Sequence, residues 1–137
     1  MVSPFKRVLI GCYGAKEEAN LARIMLVDDD RTTTSLLQTL LELDGFDVVV
    51  VSRGADVMLA LEKSAPDVVL MDYHLTDVHG VDILRQMRAS ARWHSLPVIM
   101  VSGMNMRDEV MAAGANEFLI KPFEPNELPQ LFNRYIS

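Results

Sequence analysis

Side chains able to do metal or phosphoryl chemistry stand at matching places in this chain, each directly after a short apolar run. Residues 24–27 lead into Asp28, Asp29 and Asp30; residues 68–71 lead into Asp72; residues 98–101 lead into Ser102; residues 118–120 lead into Lys121. Neighbouring carboxylates in a partly buried setting repel by about 4 kcal/mol per pair. Gathering them at the end of a buried strand therefore calls for a cation. Clustered carboxylates with water suit a hard divalent ion, above all Mg2+. Such an ion also offsets the rise in pKa that the acids impose on one another. A lysine and a hydroxyl beside it can hold the remaining oxygens of a phosphoryl group. One carboxylate can then act as the nucleophile and form an aspartyl phosphate.

These groups need a scaffold that brings five strand ends to one edge. Apolar runs at 24–27, 46–51, 68–71, 98–101 and 118–120 are short and rich in β-branched residues, and "VVVV" and "DVVL" read as strands buried on both faces. Between them lie segments with helical spacing. Leu36, Leu37, Leu40, Leu41 and Leu43 make one apolar face, closed by Gly45 at the C-terminal cap position. Val57, Leu59, Ala60 and Leu61 mark a second helix, and Val81, Ile83, Leu84 and Met87 a third. A short fourth ends at Gly114, and Leu128, Leu131, Phe132 and Tyr135 mark the last, with Pro129 in its first turn. Five alternating strand–helix units require a parallel sheet covered on both faces, because parallel strands are joined by right-handed crossovers. In such a sheet ligands bind beyond the carboxyl ends of the strands, where the acids, the hydroxyl and the amine all stand.

The bulk properties agree with one ordinary globular domain. The chain has 137 residues, half of them hydrophobic, and a formal charge of −6. No basic stripe is present, which argues against nucleic-acid binding by this segment. The single Cys12 excludes an internal disulfide and fits a reducing compartment. No apolar run approaches the roughly 18 residues of a membrane span. Lys6 and Arg7 before "VLIGC" imitate an export signal, but the apolar core is shorter than the roughly 7–15 residues such signals use. Residues 1–21 stand outside the alternating pattern. "RVLIGCY" could supply an extra strand, and the reading favoured here is a loosely ordered extension.

Four stretches, "LVDDD" at 26–30, "VVLMDYHLTDVHGVDIL" at 68–84, "LPVIMVSG" at 96–103 and "AAGANEFLIKPF" at 112–123, together resemble the receiver domain of two-component response regulators, including the chemotaxis regulator. The resemblance covers residues 22–137 and implies a doubly wound, flavodoxin-like (βα)5 fold. It implies that Asp72 is the phosphoacceptor and that Mg2+ is held by Asp28, Asp29, Asp72 and the backbone carbonyl of His74. Ser102 takes the hydroxyl position of the switch, Phe118 its aromatic position, and Lys121 that of the phosphate-contacting amine, joined to Pro122 as in the family's cis peptide. Its implied partner is a sensor histidine kinase or a histidine phosphotransfer protein, and its location is the cytoplasm. The implied role is a regulatory switch that assists its own phosphorylation and dephosphorylation without being a turnover enzyme. The switched surface surrounds the fourth helix, fifth strand and fifth helix, and a homodimer is one form such an output can take.

Three departures stand out. Thr76 replaces a proline common after the phosphorylated aspartate. His74 and Met104 occupy the variable positions flanking the phosphoryl group, so its lifetime is not inherited from relatives. The span from Ser102 to Gly114 is short by about three residues, close to one helical turn of about 3.6 residues.

Two rival readings remain at this point. "DDDRT" at 28–32 also fits the Asp-x-Asp-x-Thr motif of haloacid-dehalogenase-like phosphatases, with Asp28 as nucleophile and Asp30 as general acid/base. That reading leaves "DYHLTDVHG" and "KPF" unexplained and lacks an acidic pair after Lys121. The other is a pseudo-receiver, an interaction domain that keeps the fold without phosphorylation. Among the remaining residues, Asp30 reads first as a helix-capping acid. His74, His79 and His94 lack metal-ligand spacing with a cysteine. The methionines read as core filler, and Trp93 as a surface aromatic.

Overall fold

The computed structural model describes residues 21–136. The expectations for residues 1–20, an extra strand or a loose extension, lie outside the described residues. Five strands, β1 (Arg23–Val27), β2 (Asp47–Val51), β3 (Val68–Asp72), β4 (Val98–Ser102) and β5 (Glu117–Ile120), form one parallel sheet in the order β2-β1-β3-β4-β5. They alternate with α1 (Arg31–Leu43), α2 (Val57–Ser64), α3 (Gly80–Arg88), α4 (Arg107–Ala112) and α5 (Leu128–Asn133). This is the doubly wound (βα)5 arrangement expected from the alternating pattern.

Successive strand side chains point to opposite faces, so each strand feeds two cores. Ile24 and Leu26, Val68 and Leu70, and Ile99 and Val101 pack with Leu37, Leu41, Leu128, Leu131 and Phe132 of α1 and α5. Met25 and Val27, Val69 and Met71, and Val98 and Met100 pack with Val57, Leu61, Leu84, Met87 and Val110 of α2, α3 and α4. Every residue of β3 and β4 is buried, as expected for strands covered on both sides. β2 departs from that expectation. It is an edge strand, and its Val50 is exposed.

Helix ends follow local chemistry. Asp30 caps α1, its carboxylate accepting from the Thr32 amide and the Thr33 hydroxyl. Gly45 at φ +94° lets the chain turn left-handed after α1, with the Phe46 amide donating to the Leu41 carbonyl. Pro129 lies in the first turn of α5.

Two further expectations about burial are corrected. Of the five leucines on α1, Leu37 and Leu41 are buried, whereas Leu36 and Leu43 are 54% and 79% exposed. Leu36 lies about 100° round the helix from Leu37, and the inward face runs instead through Thr34, Leu37 and Leu41. Trp93 is buried rather than a surface aromatic: its indole Nε1 donates to Glu62 on α2, and the Arg92 guanidinium lies 4.6 Å from the ring centre. α4 is six residues long, in keeping with the short span between Ser102 and Gly114.

Candidate functional site

Strand register places the site. Val27 pairs with Met71, Asp72 with Val101, and Ser102 with Ile120, so Asp28, Asp72, Ser102 and Lys121 reach the same carboxyl edge within two residues of each other along the strand direction. Backbone bonds carry the ladder to that edge. The Asp28 amide donates to Val51, the Tyr73 amide to Val101 and the Lys121 amide to Ser102. The edge is therefore rigid, as a site that must hold charge in place requires.

The chemistry centres on three side chains. Lys121 Nζ is 2.9 Å from Asp72 Oδ2 and 3.7 Å from Asp28 Oδ2. Asp72 is buried, and its other oxygen accepts from the His74 amide at 3.1 Å. The Asp28 carboxyl is raised above its ordinary value, chiefly by burial and further by the charges of Asp72 and Asp29. The Asp30 amide and Lys121 oppose that rise without cancelling it. Burial alone would lower the Lys121 amine; the hydrogen bond and charge of Asp72, with the charge of Asp28, outweigh it and hold the amine above its usual value. The pocket beneath these groups is lined by Thr33, Thr34, Leu37, Leu70, Val101 and Phe123.

The other sequence-selected residues are placed less uniformly. Asp29 sits beside Asp28, but its carboxylate accepts a hydrogen bond from the Thr76 hydroxyl. Ser102 is fully buried at the end of β4, and its hydroxyl accepts from the Met104 amide at 3.0 Å. Phe118 is buried in the α2–α4 core, with the Arg107 guanidinium 5.6 Å from its ring centre. Lys121–Pro122 is cis. Both carboxylate oxygens of Asp30 serve the start of α1.

Among the described residues no three acidic, histidine or cysteine side chains form a closed metal cage. The donor set nonetheless suits Mg2+, which is commonly held by one or two carboxylates and several waters. A half-buried acid, raised by burial and further by two acidic neighbours, is the setting such an ion relieves.

Several contacts around the site had no mark in the sequence. Thr76 holds Asp29, and Asp77 accepts from the Gly54 and Ala55 amides, tying the loop after β2 to the loop after β3. Tyr73 donates to Glu109 on α4. Each pairs loops or elements more than twenty positions apart in sequence, which periodicity does not register.

A family described as the response regulator receiver domain matches residues 24–133, most of the chain. The chain belongs to the response regulator receiver domain family. As a receiver domain it is a regulatory signalling unit of two-component systems and not a turnover enzyme. It is 33% identical over 109 residues to the DNA-binding response regulator MtrA of Mycobacterium tuberculosis H37Rv, covering 77% of this chain and 46% of MtrA. It is 38% identical over 109 residues to the transcriptional regulatory protein CpxR of Klebsiella pneumoniae, covering 77% of this chain and 45% of CpxR. The chain thus spans about half the length of the curated relatives it matches. Among solved structures, the receiver domain of the Pseudomonas aeruginosa sensor histidine kinase PA1611, with magnesium coordinated in its active-site cleft, shares 27% identity at TM-score 0.75, covering 83% of this chain and 96% of that one. A CheY-like receiver domain protein of Methanospirillum hungatei shares 26% identity at TM-score 0.76, covering 83% and 92%. Among the described residues of this receiver domain, no helix is long and apolar enough to cross a membrane.

Proposed function

We propose that this receiver domain is a phosphorylation-driven switch that takes a phosphoryl group onto Asp72 from a phosphohistidine. The donor is a sensor histidine kinase or a histidine phosphotransfer protein in the cytoplasm. The observation that carries the reading is the triad of Asp72, Lys121 and Asp28, in which a buried carboxylate is held 2.9 Å from an amine at the carboxyl edge of the sheet. An oxygen of Asp72 attacks phosphorus in line, the N–P bond breaks, and its electron pair returns to the imidazole nitrogen of the donor. Lys121 offsets charge on the phosphoryl oxygens throughout. Asp28, Asp29, Asp72 and the His74 carbonyl would hold Mg2+, which supplies further neutralisation of that charge.

The output follows from two residues. Ser102, now bonded to the Met104 amide, turns its hydroxyl to a phosphoryl oxygen and draws the loop before α4 with it. Phe118, already buried, repacks against that loop. Two packings of the α4–β5–α5 face are thereby biased by local electrostatics. A homodimer through that face is one output, and the six-residue α4 sets its surface. The engagement of Asp30 in capping α1 leaves it poorly disposed to be the acid/base of a phosphatase centred on Asp28.

Intact mass after incubation with acetyl phosphate tests the reading, in the parent, Asp72→Asn and Asp28→Asn, with and without Mg2+. A Mg2+-dependent gain of one phosphoryl group that is absent in Asp72→Asn is expected. Retention of the adduct in Asp72→Asn with its loss in Asp28→Asn would instead favour the phosphatase. No adduct from acetyl phosphate or from a histidine kinase would make the chain a pseudo-receiver.

A further inference from the structure

Tyr73 follows Asp72 directly, and the transfer reaction leaves it without a role. Its backbone is held on both sides: the amide donates to Val101 at 2.8 Å, and the carbonyl accepts from the Gly80 amide at 2.6 Å. The ring is buried, yet its hydroxyl crosses to α4 and donates to Glu109 Oε1 at 2.7 Å. The other Glu109 oxygen lies 3.5 Å from Arg85 on α3. A phenol, a carboxylate and a guanidinium therefore join β3, α3 and α4. α4 has only six residues, and Val110 is the one buried among them. A helix so lightly anchored by apolar packing depends on its polar ties.

We propose that Tyr73 is a positioning residue that couples the state of Asp72 to α4 through its hydrogen bond to Glu109. The coupling rests on Asp72 being the phosphoacceptor. Because Tyr73 and Asp72 share a peptide bond, a shift of the loaded Asp72 reaches the phenol through one rigid peptide plane. This route differs from that of Ser102, which acts through the loop between β4 and α4. The closed bond holds α4 in its resting position, and its rearrangement on phosphorylation releases the helix together with Arg85.

Hydrogen exchange across residues 104–113 tests the proposal in the parent, Tyr73→Phe, Glu109→Ala and Glu109→Gln, each with and without acetyl phosphate and Mg2+. Intact mass records phosphoryl uptake in the same samples. Tyr73→Phe is expected to take up the phosphoryl group as the parent does, while exchange in unmodified α4 rises about fivefold, the factor for one net hydrogen bond. The difference between modified and unmodified α4 is expected to shrink to less than half. Glu109→Ala, a partly exposed site that spares the core, reproduces both effects, and Glu109→Gln, which keeps an acceptor oxygen, restores most of the parent behaviour. Combining Tyr73→Phe with Glu109→Ala adds nothing to either alone. Parent-like α4 exchange in Tyr73→Phe, or additive effects in the double variant, would overturn the proposal. Absence of an adduct in the parent, from acetyl phosphate and from a histidine kinase alike, would overturn the phosphoacceptor reading and the coupling with it. Exchange in unmodified α4 would still decide separately whether Tyr73 holds the helix.

Discussion

Lys121 Nζ and Asp72 Oδ2 stand 2.9 Å apart although 49 positions separate them in sequence. Asp28, on the other side of the amine, shares the same positive charge at 3.7 Å. One cation thus serves two acids, which leaves the pair short of neutralising charge until a second cation arrives.

Substitutions on the two sides of this pair act in opposite directions on the metal-free protein. The Asp28 pKa is raised in the folded state, so its contribution to stability is present below about 3.8 and lost as pH rises through the folded value. At neutral pH its charge is a cost. Asp28→Asn should raise the thermal midpoint in chelator, and a domain of this size gains about 2–4 °C per kcal/mol. It should also diminish the rise that Mg2+ produces in the parent. Lys121→Met should lower the midpoint, because the raised amine contributes stability throughout the range below about 10.5. Phosphoryl uptake by that variant should fall about 100-fold, as when one preorganised contact to developing charge is removed. Calorimetry with and without Mg2+, paired with timed intact mass, checks all four outcomes.

Asp77 supplies a pH dependence distinct from that of Asp28. The amides of Ala55 and Gly54 hold its carboxylate below the ordinary value. A depressed acid contributes stability above its unfolded value of about 3.8 and loses it as pH falls through the lower folded value. Asp77→Asn should therefore be less stable than the parent at pH 6, with the gap closing below pH 4. Urea denaturation at a series of pH values measures that gap, and a constant difference across the range would contradict the assignment.

Gly80 is set by close approach. A Cβ there would lie 2.2 Å from the carbonyl oxygen of Asp72, a backbone atom with no freedom to yield. Gly80→Ala should cost about 2–3 kcal/mol in chemical denaturation, and it should slow phosphoryl uptake by displacing Asp72. Gly103→Ala, where nothing lies within 4 Å, is the matched control and should change stability by less than about 0.5 kcal/mol.

Much of the architecture was present in the one-dimensional pattern. Short β-branched runs alternating with helical spacing imply parallel strands, and parallel strands place whatever follows them at one edge. That is why Asp28, Asp72, Ser102 and Lys121 stand out together in the sequence, and why Asp30 reads as a helix cap. These inferences depend only on local periodicity and chain connectivity, which each segment carries within itself.

Other features depend on how elements meet, and no segment encodes that alone. Five leucines on α1 look equivalent in sequence, but the angle at which the helix lies on the sheet buries Leu37 and Leu41 and leaves Leu36 and Leu43 in water. Val50 is exposed because β2 became the edge of the sheet, and Trp93 is covered because Glu62 and Arg92 reach it. Asp29 turns to Thr76, and Tyr73 to Glu109. Residue type and spacing name the groups capable of the chemistry. Hydrogen-bond and ion-pair partners, at 2.7–3.7 Å and tens of residues apart, are chosen only when helices dock and loops cross.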